Sequence, residues 1–137
     1  MATIFSKIIN GEIPSYKIVE NDRFFAFLDI NPMSKGHTLV VPKQEIDYIF
    51  DVDDALLAEM IVFAKQVART IEKAVPCTRV GVMVIGLEVP HAHIHLIPIQ
   101  KENDMSLSNP RLKLSKEEFE ETARKIRCAI DFSLCSN

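Results

Sequence analysis

The stretch Val89-Pro90-His91-Ala92-His93-Ile94-His95-Leu96-Ile97-Pro98 is the part of this chain that decides its fold. It carries three of the four histidines of the chain, each two residues from the next. Alternate side chains of a β-strand point to the same face, so a strand here would place the three imidazoles on one face and the intervening apolar side chains on the other. The β-branched neighbours favour a strand over a helix. We therefore predict a strand over His91–Gln100.

A row of three imidazoles is suited to covalent catalysis. Imidazole has an unperturbed pKa of about 6.5, so near neutral pH it can act as nucleophile, base or acid. Like charges close together disfavour one another, so at least one ring of the row should stay neutral, with a free nitrogen lone pair. One histidine can then attack while a neighbour protonates the leaving group. The structural alternative is a half-buried strand whose polar face is histidine.

A metal site is the other alternative for this row. On a strand the first and last histidines are about 13 Å apart at Cα, so three ligands converging on one ion would be strained. A structural zinc site has four protein ligands and a catalytic one usually three. Two adjacent histidines could still share a zinc ion. The spacing therefore predicts no metal, with a zinc-binding protein as an alternative.

The row resembles the signature of the histidine triad (HIT) family of nucleotide hydrolases and transferases, which is His-x-His-x-His with apolar x followed by two apolar residues. Two more stretches are similar to the family in the same order. Ile4–Pro14 resembles the family's amino-terminal segment. Phe25–Pro32, followed by Gly36–Lys43, resembles its second landmark. Together the matches span residues 4–98, which makes the resemblance specific.

The length and composition are those of one globular domain. We predict a single domain over residues 1–137, with a core at about 3–100 and a carboxy-terminal loop and helix at about 101–132. Hydrophobic residues make up 47% and charged residues 26% of the chain, which is ordinary for a soluble protein. A net charge of −3 gives no basic face for long nucleic acid. A small anionic ligand needs only local donors and remains possible.

The cysteines predict a reducing compartment. Cys77, Cys128 and Cys135 cannot all pair within one chain, and there is no C-x-x-C motif, so neither a disulfide framework nor a zinc knuckle is indicated. Lys7 and Glu12 interrupt the amino terminus where a signal peptide would be apolar, and no apolar run approaches a membrane span. We expect a cytoplasmic protein without a membrane segment.

Three helices are predicted from capping and apolar spacing. The first covers Thr3–Asn10, with Thr3 as N-cap and Gly11 in the left-handed conformation that ends it. The second covers Asp51–Ala74, where apolar residues recur at helical spacing. The third covers Ser115–Ile130 and begins with a capping box between Ser115 and the residue three positions later.

Five strands complete the predicted fold. They are Tyr16–Glu20, Phe24–Leu28, His37–Pro42, Arg79–Ile85 and His91–Gln100. Short turns and one long helix between the third and fourth strands predict an α+β fold with a five-stranded antiparallel sheet and flanking helices. The family resemblance implies the same fold and also a homodimer with a continuous sheet.

The resemblance implies a role for each histidine. His93 would be the nucleophile, attacking the α-phosphate to form a nucleotidyl-histidine, with its tautomer set by the carbonyl of His91. His95 would lie near the leaving group and donate a proton or a hydrogen bond to it. His37 matches the family's fourth histidine and would orient the others, although a polar residue at the start of a strand is the alternative.

The resemblance also implies a nucleotide pocket. The Asp29 carboxylate would accept hydrogen bonds from both ribose hydroxyls. The alternative is that this Asp, which lies in an apolar run before Asn31-Pro32, caps a turn. Six apolar residues match family positions that line the base pocket, with core packing as the alternative for each. They are Ile4, Phe5, Ile8, Ile13, Phe27 and Ile30.

Two departures from the family fall at expected phosphate donors. The family commonly has Gly-Gln before the triad where this chain has Gly86-Leu87, and an Asn where this chain has Val80. Neither leucine nor valine can donate a hydrogen bond, and Glu88 adds negative charge. Side chains elsewhere can compensate, and the candidates are Arg79, Thr78 and Lys43.

These observations predict a nucleoside-phosphate hydrolase, specifically a purine nucleoside phosphoramidase that needs no cofactor. Its ligand would be a purine mononucleotide or a nucleoside phosphate conjugate. A dinucleoside polyphosphate hydrolase is the alternative enzyme. The two missing phosphate donors leave open a mononucleotide-binding module with little catalysis.

Overall fold

Five antiparallel strands form one sheet in the computed structural model, which describes residues 2–130. Their spatial order is β1-β2-β3-β5-β4, so β1 and β4 are the two edges. The strands are β1 (Lys17–Glu20), β2 (Phe24–Leu28), β3 (Thr38–Pro42), β4 (Arg79–Met83) and β5 (Ile94–Ile99). The predicted α+β fold with a five-stranded antiparallel sheet is confirmed.

The three predicted helices are present, and their caps explain where each one begins. They are α1 (Ile4–Ile9), α2 (Asp54–Ala74) and α3 (Lys116–Cys128). The Thr3 hydroxyl caps α1 and the Asp53 carboxylate caps α2. Ser115 and Glu118 form the predicted capping box of α3. Gly11 follows α1 with φ +82°, as predicted. Within residues 2–130, no helix is long and apolar enough to cross a membrane.

The two faces of the sheet pack against different helices. Alternate residues of β2 and β3 join α2 and α3 in the main core, for example Ala26 and Val40. The intervening residues form a smaller cluster on the opposite face with Phe5 of α1. The members of that cluster are Phe5, Phe25, Phe27, Leu39 and Val41. His95 pairs with Leu39 across β3 and β5, so its side chain lies on the α1 face.

Two strand boundaries were wrong by two or three residues, and α2 begins at Asp54, not at Asp51. The strand β5 begins at Ile94, not at His91, and β4 ends at Met83, not at Ile85. A tight turn, in which the His91 N–H donates to the Val89 carbonyl at 2.8 Å, takes the chain out of the ladder before the triad. Pro90 within this turn has no N–H to donate. The Ala92 N–H instead bonds the carbonyl of Ile46 at 2.7 Å.

The segment between β5 and α3 is fixed by hydrogen bonds. The Asp104 carboxylate accepts from the backbone N–H of Gln100 and of Lys101 at 2.8 and 3.0 Å. It closes a short 3-10 turn over Glu102–Met105 within the predicted loop. Further along, the Leu112 N–H donates to the Pro32 carbonyl at 2.9 Å. The segment is thereby tied to the loop between β2 and β3.

Part of the carboxy terminus lies outside the described residues. This applies to Cys135 and to the last positions of the predicted carboxy-terminal segment, 131 and 132. The other two cysteines, Cys77 and Cys128, are free thiols.

Candidate active site

His93 is buried just before β5 and is held through one ring nitrogen. Its Nδ1 lies 2.8 Å from the carbonyl oxygen of His91. A carbonyl can only accept, so Nδ1 carries the proton, and Nε2 keeps its lone pair. The Phe5 ring lies edge-on against the imidazole, with centroids 5.0 Å apart. The contact implied by the family resemblance is present, and among residues 2–130 the other ring nitrogen, Nε2, has no hydrogen-bond partner.

His91 is locked in the opposite tautomer. Its Nε2 lies 2.8 Å from the Pro42 carbonyl oxygen, so Nε2 carries the proton. Its Nδ1 lies 2.8 Å from the hydroxyl of Thr3, and therefore accepts from it. Burial lowers the pKa of His91, which keeps the ring neutral. The side chain positions the backbone carbonyl on which His93 depends.

His37 and His95 form a directed chain of hydrogen bonds. The Met33 backbone N–H donates to Nδ1 of His37 at 3.0 Å, so the proton of the neutral His37 ring is at Nε2. That Nε2 lies 2.9 Å from Nδ1 of His95 and donates to it. The proton of neutral His95 is consequently at its own Nε2. One backbone amide thus orients the N–H of a ring that lies 4.9 Å from His93, centroid to centroid.

Burial keeps this pair uncharged in the free protein. It lowers the pKa of His37 from 6.5 to about 4, and that of His95 likewise to about 4. The positive charge of Arg111 lowers the pKa of both rings further, while the negative charge of Asp29 opposes the fall. At neutral pH His95 therefore presents a neutral N–H, not an imidazolium.

Asp29 serves the turn and also faces the histidines. One carboxylate oxygen, Oδ1, accepts the Asn31 backbone N–H at 2.8 Å, which is the turn interpretation. The other oxygen, Oδ2, lies 3.5 Å from Nε2 of His37. The side chain is 18% exposed, so a ligand can reach it. Its contact with ribose stays a prediction.

A polar network that the sequence did not reveal supports the site from α1. The Glu45 carboxylate accepts from the Thr3 backbone N–H at 3.0 Å and from the Ser6 hydroxyl at 2.5 Å. Thr3 in turn holds His91. The sequence predicted Thr3 as a helix cap, and it caps α1, but its contact with a residue 88 positions away carries no local signal.

A cavity of about 220 Å³ opens beside the histidines. Leu87 lines it with an 88% exposed side chain, so the position where the family has a donor is apolar here. Val80 packs against the main core instead. The cavity is lined by His37, His93, His95, Met33, Met83, Ile85, Gly86, Leu87, Glu88, Leu107 and Arg111.

The three proposed substitutes for the missing donors lie elsewhere. The Thr78 hydroxyl donates to the Gln100 side chain at 2.8 Å. Lys43 pairs with Glu20 at 2.7 Å, and Arg79 lies exposed on β4. Of the charged residues that the structure describes, Arg111 is the cation lining the cavity. Sequence reasoning placed Arg111 at the end of a polar loop and missed it, because only the folding of the whole segment brings it to the histidines.

The predicted base-pocket residues divide into two groups. Phe5, Phe27 and Ile8 share the apolar cluster on the α1 face, and the two phenylalanine rings meet at 5.5 Å. Ile30 is 65% exposed and lines a different groove, between Pro14–Lys17 and α3. Ile4 is also exposed, at 48%, and Ile13 is half-buried. The structure therefore brings three of the six together.

The side chains that come close enough together to share a metal ion are not the three histidines of the row. Among residues 2–130, the ligand atoms of Asp29, His37 and His95 lie within 4.8 Å of one another. A metal ion there would require the proton shared by the two histidines to leave. The expectation of metal independence stays a prediction.

The comparisons with known proteins point to one family. The family model described as HIT domain matches residues 10–102. An uncharacterized HIT-like protein of Borreliella burgdorferi is 35% identical over 131 residues, covering 90% of this chain and 94% of that protein. An adenosine 5′-monophosphoramidase of Schizosaccharomyces pombe is 32% identical over 136 residues, covering 95% and 99%.

A solved structure agrees. The crystal structure of a Hit-like protein involved in cell-cycle regulation from Bartonella henselae superimposes with a TM-score of 0.82. It is 35% identical, and the match covers 93% of this chain and 96% of that one.

Proposed function

This chain belongs to the HIT domain family, and we propose that it hydrolyses nucleoside phosphoramidates or related nucleoside phosphoanhydrides through a nucleotidyl-histidine. The observation that carries this proposal is the 2.8 Å contact between Nδ1 of His93 and the His91 carbonyl. Because the carbonyl can only accept, the contact holds the ring proton at Nδ1 and leaves Nε2 to carry the in-plane lone pair, beside a cavity large enough for a phosphoryl group. The family includes an adenosine 5′-monophosphoramidase, which supports this class of substrate.

The first step is attack on phosphorus. The Nε2 lone pair of His93 forms a bond to the α-phosphorus as the bond from phosphorus to the leaving group breaks. The electron pair of the broken bond departs with the leaving group. The positive charge that then develops on the His93 ring is stabilised by the His91 carbonyl at Nδ1. Water later cleaves the N–P bond and releases the nucleotide.

His95 acts on the leaving group. Its Nε2–H, oriented by His37 and by the Met33 amide, donates to the departing atom. The free pair is neutral at pH 7, but the negative charge of an arriving phosphate raises the pKa of both histidines. Substrate binding therefore favours uptake of the proton that an amine leaving group needs.

The nucleoside side of the substrate is proposed to lie towards the amino-terminal half of the sheet. The Asp29 oxygen that does not cap the turn, Oδ2, is the proposed acceptor for the ribose hydroxyls. Phe5, Ile8 and Phe27 give apolar contact for a purine base with little discrimination between bases.

We also propose a homodimer through β4. This strand is an edge of the sheet, and an unprotected edge is a template for pairing with another chain. Apolar side chains remain exposed along it and just beyond it. They are Val82, Val84 and Ile85.

Adenosine 5′-phosphoramidate tests the proposed function. We expect the wild-type protein to release AMP without added metal and to form a transient nucleotidyl adduct at His93, seen by intact mass under single-turnover conditions. His93→Ala should lose the adduct and the turnover but still bind AMP. His95→Ala should keep the adduct and turn over roughly 10²–10⁴ times more slowly, which is the usual contribution of a general acid.

The main rival is a nucleotide-binding module with little catalysis, which the exposed Leu87 favours. AMP binding without an adduct in the wild-type protein would establish that rival. Equal residual activity in His93→Ala and His95→Ala would contradict the distinct roles of the two histidines.

A further inference from the structure

Arg111 is the cation that lines the cavity beside the histidines, among the residues 2–130 that the structure describes. It lies beyond the segment that matches the family model, which ends at residue 102. Within residues 2–130 its guanidinium makes no hydrogen bond and no ion pair, although Glu88 lines the same cavity. A guanidinium beside the triad that has no partner among these residues can offer its donors to a ligand.

The backbone holds Arg111 in this place. The next residue, Leu112, donates its N–H to the Pro32 carbonyl at 2.9 Å. Pro32 precedes Met33, whose own N–H orients His37. Earlier in the segment, the Met105 side chain covers Gly81 of β4 so closely that a Cβ there would collide with it. The position of Arg111 is thus built from the same loop that sets the His37–His95 chain.

The charge of Arg111 lies on the leaving-group side of the site. The histidines whose pKa it lowers are His37 and His95. Both of these rings line the cavity together with Arg111, whereas the fully buried His91 does not line it. A cation in this position lies nearer to the leaving group of a bound substrate than to its nucleoside.

From this placement we propose that Arg111 binds an anionic leaving group and makes the site prefer nucleotides whose α-phosphate is joined to a second phosphoryl group. The inference rests on the proposed function and names its substrate class. In the reaction, the bond from His93 Nε2 to the α-phosphorus forms as the Pα–O bond breaks. The electron pair leaves on the oxygen of the departing phosphate, whose charge the guanidinium neutralises.

This substrate class also suits the neutral state of His95. An amine leaving group has to take up a proton, whereas a phosphate departs as an oxyanion that needs only hydrogen bonds and positive charge. His95 offers the N–H, and Arg111 offers the charge. Arg111 thereby replaces the hydrogen-bond donors that Leu87 and Val80 cannot supply. Its donors contact the departing phosphate.

Equilibrium binding tests this without relying on turnover. The probes are AMP and the non-hydrolysable α,β-methylene analogue of ADP, titrated into the wild-type protein and Arg111→Met at one fixed ionic strength. We expect the wild-type protein to bind the diphosphate analogue at least about tenfold more tightly than AMP, the lower end of what a charge-assisted hydrogen bond contributes. Arg111→Met should remove most of that difference, and Arg111→Lys should keep part of it.

Arg79→Met is the matched control, because it removes an exposed cation from β4 outside the cavity. It should bind both ligands as the wild type does. Equal weakening of both ligands by Arg111→Met, or no change in their ratio, overturns the inference. If Arg111→Met does not fold, equal affinity of the wild-type protein for the two ligands overturns it as well. Failure of the proposed function would appear differently, as the absence of an adduct at His93.

Discussion

At the scale of single residues, Thr3 connects helix capping to the chemistry of the triad. Its hydroxyl oxygen accepts the Ser6 N–H and so begins α1, while its proton is given to Nδ1 of His91. His91 must then carry its own proton at Nε2, where the Pro42 carbonyl accepts it. One hydroxyl therefore helps to fix a tautomer next to the proposed nucleophile.

Replacing Thr3 should reveal both functions. Thr3→Val leaves the buried Nδ1 of His91 without a donor, at a cost of about 1–3 kcal/mol, and also removes the cap of α1, at a cost of about 1 kcal/mol. We expect the free energy of unfolding in urea to fall by roughly the sum of these. Long-range ¹H–¹⁵N spectra should show His91 protonated at Nε2 in the wild type and also in Thr3→Val, because the Pro42 carbonyl still accepts that proton.

Thr3→Ser is the control, since it keeps the hydroxyl and should keep both the stability and the tautomer. A spectrum of the wild-type protein with the proton at Nδ1 of His91 would contradict this assignment.

The buried pair His37 and His95 should make the protein sensitive to acid. In the unfolded chain these rings take up protons as the pH falls below about 6.5, but in the folded chain they do so only near a pKa of about 4. Their contribution to stability is therefore complete above about pH 6.5 and is lost as the pH falls from 6.5 towards 4. We expect urea unfolding to show a lower free energy at about pH 5 than at about pH 7.

His37→Asn removes one of the two groups and should show a smaller fall over the same range. The two proteins are compared by how much the free energy of unfolding falls with pH. Any loss of stability that the substitution causes at neutral pH therefore does not affect the comparison. The same pH dependence in both proteins would mean that other groups, such as His91, account for the acid sensitivity.

The residue scale also shows where sequence reasoning stops. The triad histidines were visible as candidates from their recurrent spacing, and Asp29 was visible because an acid is costly in an apolar run. The hydrogen-bond partner of each ring nitrogen could not be predicted from the sequence. The exception is the His91 carbonyl, which the family resemblance implied for His93. Contacts such as Met33 N–H to His37 and Thr3 to His91 depend on loop geometry that no local pattern encodes.

At the scale of elements, helices were predicted better than the triad strand. Capping residues are local, so α1 and α3 begin directly after Thr3 and Ser115 as predicted, whereas α2 begins at Asp54 and not at Asp51, because Asp53 is its cap. The alternation in His91–Leu96 has the period of a strand, yet β5 starts only at Ile94. The backbone N–H of His91 bonds within a turn and its carbonyl bonds the His93 ring, so neither group is available to the sheet. The alternation of side chains along the sequence cannot reveal these competing hydrogen bonds.

The cap of α3 can be tested directly. Ser115→Ala removes the acceptor for the Glu118 N–H, which lies 3.1 Å away, and should lower the free energy of unfolding by about 1 kcal/mol. Ser115→Asp restores an acceptor and should recover most of that loss. If the two variants are equally stable in urea, the capping box does not contribute to stability.

At the scale of the whole molecule, the site is assembled from the segment that matches the family model and from segments on either side of it. The triad, His37 and Asp29 lie within residues 10–102, which match the HIT domain model. The hydroxyl that holds His91 comes from before that region, and the guanidinium that lines the cavity comes from after it. Segments on both sides of the matched region therefore contribute side chains to the site.

The two edges of the sheet allow a test of the proposed homodimer. Val82 lies on the edge strand β4 and is 55% exposed. Val62 on α2 is 54% exposed and lies beside the turn between β1 and β2, near the opposite edge. Pairing of β4 with its copy about a two-fold axis would bring the two Val82 side chains, and their neighbours, into one interface.

We expect the wild-type protein to sediment as a dimer at micromolar concentration. Val82→Lys would bring like charges together across the paired strands, so it should raise the dimer dissociation constant by about tenfold or more. Val62→Lys makes the same substitution at matched exposure and should leave the dissociation constant unchanged. A monomeric wild-type protein, or equal behaviour of the two variants, would show that β4 is a free edge and that any dimer forms through another surface.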